Sequence, residues 1–173
     1  ILGKFFADLK VDSHMGIDRW FITSEMIDRN VSKKIKAGAD IMFAESNLAL
    51  HTMKRAKELG MITILDRTNS HIMYQKDLLE SEYASLGIKY AFHSDAIVEK
   101  GLREYQEADY ISVLSTFVKN TFLERGIPEE KLLLIPSGVN LRDFRQVKKE
   151  DDVFRIIYCG LSCIKKGTHY LLE

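Results

Sequence analysis

The sequence predicts an α/β fold built on a parallel sheet. Three observations carry this. Short apolar runs alternate with amphipathic stretches of ten residues or more, the runs are apolar almost throughout rather than at every second position, and glycines stand at the joints. Strands separated by helices of that length are joined by crossovers, which makes neighbouring strands parallel. Near-continuous apolar strands suit a sheet covered on both sides, so helices are expected on both faces.

The elements follow in order. From Asp18 to Ala37, the residues Trp20, Ser24, Ile27, Val31 and Ile35 recur at helical spacing, and Gly38 stops the helix. Ala39–Ala44 is the first predicted strand. Ala49, Met53 and Ala56 mark a helix stopped by Gly60, and Met61–Leu65 is the second strand. Ile72, Leu79, Tyr83 and Leu86 give a helix that ends at Gly87. Another spans Asp95–Glu107, with Val98, Leu102 and Tyr105 along one side. Tyr110–Leu114 is the third strand. Ser115 is a good N-cap for a helix through Arg125, with Val118 and Phe122 inward and Gly126 just past its end. Lys131–Ile135 is the fourth strand and Val153–Cys159 the fifth.

Between the last two lies Pro136–Asp152, which is polar, holds one of the chain's two prolines and ends in a charge run. The expected organisation is therefore a Rossmann-like domain over residues 1–135, a linker over 136–152, and the first strand, loop and helix of a second Rossmann-like domain over 153–173. A strand and one helical turn cannot form a core alone.

Composition removes several function classes. Among 173 residues, 25 Lys and Arg balance 25 Asp and Glu, so the electrostatic footprint of a nucleic-acid binder is missing. No apolar run approaches the ~20 residues that span a bilayer. The 2 cysteines, Cys159 and Cys163, are too few for a disulfide framework or a zinc site, and read as thiols of a reducing cytoplasm. No metal or cofactor is expected. No two glycines stand in a G-x-G relation, and the phosphate loop G-x-x-x-x-G-K, the G-x-S-x-G elbow and H-E-x-x-H are all missing.

Two regions carry chemistry. In IIYCGLSCIKKGTHYLLE a strand closes at Gly160, Lys165 and Lys166 follow in a loop, and Gly167 opens a helix. Lysines beside a helix N-terminus attract phosphate, although a solvated basic loop has the same spacing. In DRTNSH, Arg67 and His71 follow a strand end, where ligands gather in open α/β sheets. The residues alone favour a solvated Arg67 and a His71 that only starts the next helix. His14, His51, His93 and His169 belong to no visible constellation.

The order of these motifs adds a resemblance. IPEEKLLLIPSGVNLRDF followed by VFRIIYCG and KKG is similar to the domain boundary of retaining glycosyltransferases of family four. EYQEADYISVLSTF and DRTNSHIMYQ resemble stretches upstream of that boundary, so the likeness runs over roughly Ala39–Glu173. It implies a GT-B architecture, in which two Rossmann-like domains face each other across a cleft. It also implies transfer of a hexose from a nucleotide diphosphate sugar, with retention and without a metal, to a sugar, lipid-linked or small-molecule acceptor.

On that resemblance, Lys166 matches the lysine that meets the donor phosphates, with Lys165, Gly160 and Gly167 beside it. His71 matches a catalytic histidine in the cleft, and Arg67, Ser115, Ser137 and Gly138 fall on its acceptor side. Leu161 departs from the Arg or Gln common at that place. The chain is expected to be an interior piece of a cytoplasmic enzyme, with peripheral membrane attachment of the parent left open, and inactive by itself. A non-catalytic binding or scaffold module of the same fold, and a nucleotide-sugar epimerase of the same shape, are the alternatives.

Overall fold

The structure is a computed structural model that describes residues 18–90 and 92–172; His14 lies outside them. The first helix, α1, spans Arg19–Lys34, then β1 Ile41–Glu45, α2 Leu50–Glu58, β2 Ile62–Arg67, α3 Ile72–Ser85, α4 Asp95–Glu107, β3 Tyr110–Val113, α5 Thr116–Leu123 and β4 Leu132–Leu134. A short helix, α6, occupies Thr168–Leu172. Helix α1 stops at Lys34, three residues before the expected end, while Ser115 caps α5 as expected by accepting from the Val118 N–H at 3.2 Å.

The four strands form one parallel sheet in the order β1-β2-β3-β4, with Ile41 opposite Ile62, Ile64 opposite Tyr110 and Ile111 opposite Leu132. The sheet is therefore the Rossmann-like one expected. Its coverage is not. Met42, Leu65, Ile111, Val113 and Leu132 belong to one buried cluster that also holds Met53, Ile97, Tyr105 and Phe122 from the helices. The opposite side chains stay open to solvent, with Ile41 55% and Phe43 57% exposed. The strand order explains this. Right-handed crossovers that always step the same way along a sheet put every helix on the same face, and only a reversal of direction carries one to the other side. The described strands contain no reversal, which corrects the expectation of helices on both faces.

Two buried carboxylates hold the helical layer. Helix α2 begins after Ala49, which has no side chain able to cap it. The acceptors come from elsewhere in the fold. Asp28 of α1 accepts from the His51 and Thr52 N–H groups at 3.0 and 2.9 Å, and Glu104 of α4 accepts from Asn47 and from Ala49, the latter at 2.9 Å. The unpaired amides of a helix start thereby bond carboxylates where the helix dipole favours negative charge. Lys100 Nζ completes the cluster, 2.8 Å from Glu25 and 3.1 Å from Asp28.

After β4 the chain runs exposed until Cys163. The expected fifth strand, Val153–Cys159, is not a strand; Phe154 is 85% and Ile157 88% exposed. A strand is defined by its ladder, and no strand stands beside this segment among the described residues. The chain then returns to the body, where His169 Nε2 and the Tyr170 hydroxyl meet Glu82 of α3 at 2.8 and 2.5 Å.

Candidate functional site

A cleft of about 380 Å³ opens at the carboxyl ends of β1 and β2. This is where parallel strands deliver their loops, and where open α/β sheets hold ligands. Glu45 and Ser46 line it from the end of β1, Arg67 and Asn69 from the end of β2, Trp20 from α1, and His93 from the turn before α4. Lys165 reaches the same cleft from the returning segment. A smaller cavity of about 280 Å³ adjoins it, lined by Asn69, Ser70, Phe117, Lys165 and Lys166.

Arg67 is only 5% exposed, and four of the five N–H groups of its guanidinium bond neutral groups. Nε and Nη2 donate to the Ser70 carbonyl at 3.2 and 3.1 Å, Nη1 to Ser46 Oγ at 3.0 Å, and Nη2 also to Gln75 Oε1 at 3.2 Å. No carboxylate lies within 4.0 Å of it among the described residues. The side chain thus pins the loop between β2 and α3 to the end of β1, and is a buried positive charge without a counterion among the described residues.

His71 corrects an expectation. It is 3% exposed and does not line the cleft. Its ring lies 5.0 Å from Tyr105 and 5.1 Å from Phe122, inside the helical layer. Its N–H donates to Thr121 Oγ1 at 3.0 Å, and its Nδ1 accepts from the Met73 N–H at 3.2 Å, which caps α3. Burial, and then the charges of Arg125 and Arg67, pull its pKa down to about 4. The imidazole is neutral at pH 7 and serves packing and capping.

The other expected site residues scatter. Ser115 is a helix cap, and Ser137 and Gly138 lie exposed in the segment after β4, outside the cleft. Gly160 also lies outside it, with φ +153 and the Tyr158 hydroxyl 3.3 Å from where a Cβ would stand. Gly167, at φ +69, ends a short 3-10 turn over Ile164–Lys166, and its N–H already donates to the Ile164 carbonyl at 2.8 Å. Helix α6 has only 5 residues, too short for a strong dipole, so the lysines rather than a helix start carry the positive charge here. What the structure does bring together is Arg67 with Lys165, and Lys166 in the adjoining cavity.

Electrostatics in the cleft follow from this grouping. Partial desolvation lowers the pKa of Lys165, and Lys166 and Arg67 lower it further. For His93, desolvation again leads; Asp18 opposes it, and Lys165 and Arg67 reinforce it. Glu104, beneath the loop after β1, is pushed up to about 7 by burial, against the two amide hydrogen bonds that favour its charged form. That loop carries Asn47 at φ +70, a left-handed conformation uncommon for a side-chain-bearing residue.

Sequence reasoning missed Trp20, Glu45, Asn69 and His93. The polar stretch Glu45–Asn47 after a predicted strand was the one available signal. Glu25, Asp28 and His51 bring ligand-type atoms within 4.8 Å of one another, but Lys100 already supplies the cation there. His51 also lies 3.0 Å from Glu25, so both it and His169 have partners the sequence did not reveal. Among the described residues, no helix is long and apolar enough to cross a membrane. No family model, curated protein or solved structure matches the chain.

Proposed function

We propose that the chain is part of a retaining glycosyltransferase of the two-domain GT-B kind, and that its cleft is the substrate side of the reaction centre. The observation that carries this is the meeting of Arg67, at the end of β2, with Lys165, from the far end of the chain, in one cleft at the carboxyl edge of a parallel sheet. The order of motifs from Asp66 to Gly167 supports the same reading. A nucleotide diphosphate sugar is the donor, and a sugar, lipid-linked or small-molecule acceptor is the partner. Cleavage of the glycosyl–phosphate bond builds negative charge on the departing diphosphate, which fixed cations stabilise without a metal. Lys166 takes that role, with Lys165 beside it. His71 acts in this scheme only through the loop it anchors.

The test is titration of a nucleoside diphosphate into the protein and into Lys166→Ala. A charge-assisted phosphate contact is worth ~1.5–3 kcal/mol, so affinity falls by about tenfold or more. Equal affinities remove Lys166 from the site. The burial of His71 favours a second reading, a binding module without turnover, because it withdraws the candidate catalytic imidazole from the cleft. Hydrolysis or transfer of a sugar nucleotide by the intact protein separates the two.

A further inference from the structure

Arg67 poses an energetic problem that the fold alone does not solve. A guanidinium 5% exposed, bonded to a carbonyl, a hydroxyl and an amide, carries a desolvated charge that no carboxylate of the described residues neutralises within 4.0 Å. Buried charges are ordinarily paired, because neutral hydrogen-bond acceptors restore only part of the solvation they lose. The contrast within this protein is direct. Lys100, equally buried, has two carboxylates within 3.1 Å. Arg67 has none among the described residues, and it lines a cleft into which Lys165 and His93 also face. Among the described residues Glu45 is the one carboxylate lining that cleft, and it is exposed. The positive groups come from separate elements, so one local sequence feature does not explain their convergence.

Resting on the reading of the cleft as a substrate site, we infer that the acceptor it binds is a sugar carrying an anionic group, a phosphate or a carboxylate, held by Arg67 and Lys165. The group supplies the counter-charge that Arg67 lacks. Asn69 at the same cleft offers an amide that can both donate to and accept from sugar hydroxyls. Desolvation leads in lowering the pKa of Lys165 and of His93, and Arg67 adds to both, although Asp18 opposes it at His93. Lys166, in the adjoining cavity, is left for the donor diphosphate.

The experiment titrates four probes into the full 173-residue protein: glucose, glucose 6-phosphate, inorganic phosphate and uridine diphosphate, at matched ionic strength with chloride as the control. Binding is read by calorimetry and by the His93 ring resonances. Phosphate is expected to shift those resonances saturably and to raise the His93 pKa, and glucose 6-phosphate is expected to bind about tenfold or more tightly than glucose. Arg67→Gln and Lys165→Gln each abolish that preference, and Arg67→Gln leaves uridine diphosphate binding in place. Because Arg67 braces a loop, Lys165→Gln, at an exposed position, is the variant that answers if Arg67→Gln does not fold. Equal binding of glucose and glucose 6-phosphate, a phosphate response no larger than that of chloride, or a preference that survives in Lys165→Gln overturns the inference. So does loss of uridine diphosphate rather than glucose 6-phosphate in Arg67→Gln, which assigns the arginine to the donor. Tight glucose 6-phosphate binding with no uridine diphosphate binding leaves the anion site standing and removes Lys166 from the donor role instead.

Discussion

Replacing Lys100 with methionine tests the electrostatic hinge of the helical layer. Lys100 Nζ lies 2.8 Å from Glu25 and 3.1 Å from Asp28; Lys100 is 2% exposed and Asp28 is fully buried. Asp28 in turn holds the start of α2 through His51 and Thr52. Methionine keeps the length of the side chain and removes its charge, so Asp28 is left buried without a cation, while Glu25 keeps Arg29 and His51, each at 3.0 Å. Breaking a buried pair in this way costs ~3–5 kcal/mol. At this chain length each kcal/mol moves the melting temperature by about 2–4 °C, so a fall of roughly 6–20 °C is expected. Urea unfolding at pH 7 gives the free energy directly.

The pH dependence of the difference sharpens the test. Desolvation raises the Glu25 pKa, but hydrogen bonds from Lys100 and His51 outweigh it and bring the value to about 2. Its contribution to wild-type stability is therefore complete above the ordinary 4.5 and is lost as pH falls toward about 2. In the variant the lysine is gone and the carboxyl protonates earlier, so the gap between the two proteins narrows as pH drops from 7 to about 3. A loss below ~1 kcal/mol at pH 7, or a gap that widens in acid, would refute the reasoning.

Three further outcomes are expected. Glu104 and His71 impose opposite slopes on stability. Glu104, with its pKa raised from 4.5 to about 7, loses stability as pH rises through that window, whereas His71, lowered from 6.5 to about 4, loses it as pH falls through its own. Each amounts to ~3 kcal/mol at full extent, and the two offset each other where the windows overlap. Unfolding of Glu104→Gln should lose stability more steeply than wild type as pH drops from 6.5 to 4.5, and His71→Asn should lose it more steeply as pH rises over the same interval; parallel profiles would reject both assignments. His71→Ala should cost at least ~2 kcal/mol through the lost cap and ring contacts, yet leave nucleoside diphosphate affinity unchanged in the folded fraction, measured by urea unfolding and calorimetry. On the sheet, Leu65→Ala on the covered face should cost ~2–5 kcal/mol, and Phe43→Thr on the open face under ~1 kcal/mol. Similar costs for both would mean that the open face is covered in solution.

Local pattern determined much of this protein. The four strands, the helices between them and the caps at Asp18 and Ser115 depend on residues close in sequence, and apolar period and cap chemistry are local quantities. Parallel pairing followed from crossover length, which is also local. The same runs could not say which face of the sheet was covered. That depends on the direction in which each crossover steps, a choice the apolar strands Ile41–Glu45 and Ile62–Arg67 accommodate either way. The expected strand at Val153–Cys159 failed for a related reason, because its β-branched and aromatic residues specify a surface that needs a neighbour.

The site divided along the same line. Arg67 was legible as a residue at a strand end, and Lys165 as part of a basic loop, but their meeting in one cleft was not. His71 was read as a cleft residue from its place after a strand. Tertiary packing turned its ring between Tyr105 and Phe122, which lie far along the chain. Asp28 and Glu104 carried no signal at all, since a helix that starts at Ala49 announces no cap of its own. The sequence by itself determined which residues prefer helix or strand and which carry charge. Only the tertiary structure decided which charges are buried, which are paired, and which, as at Arg67, are left facing a cleft without a counterion, because desolvation and pairing are set by neighbours in space rather than along the chain.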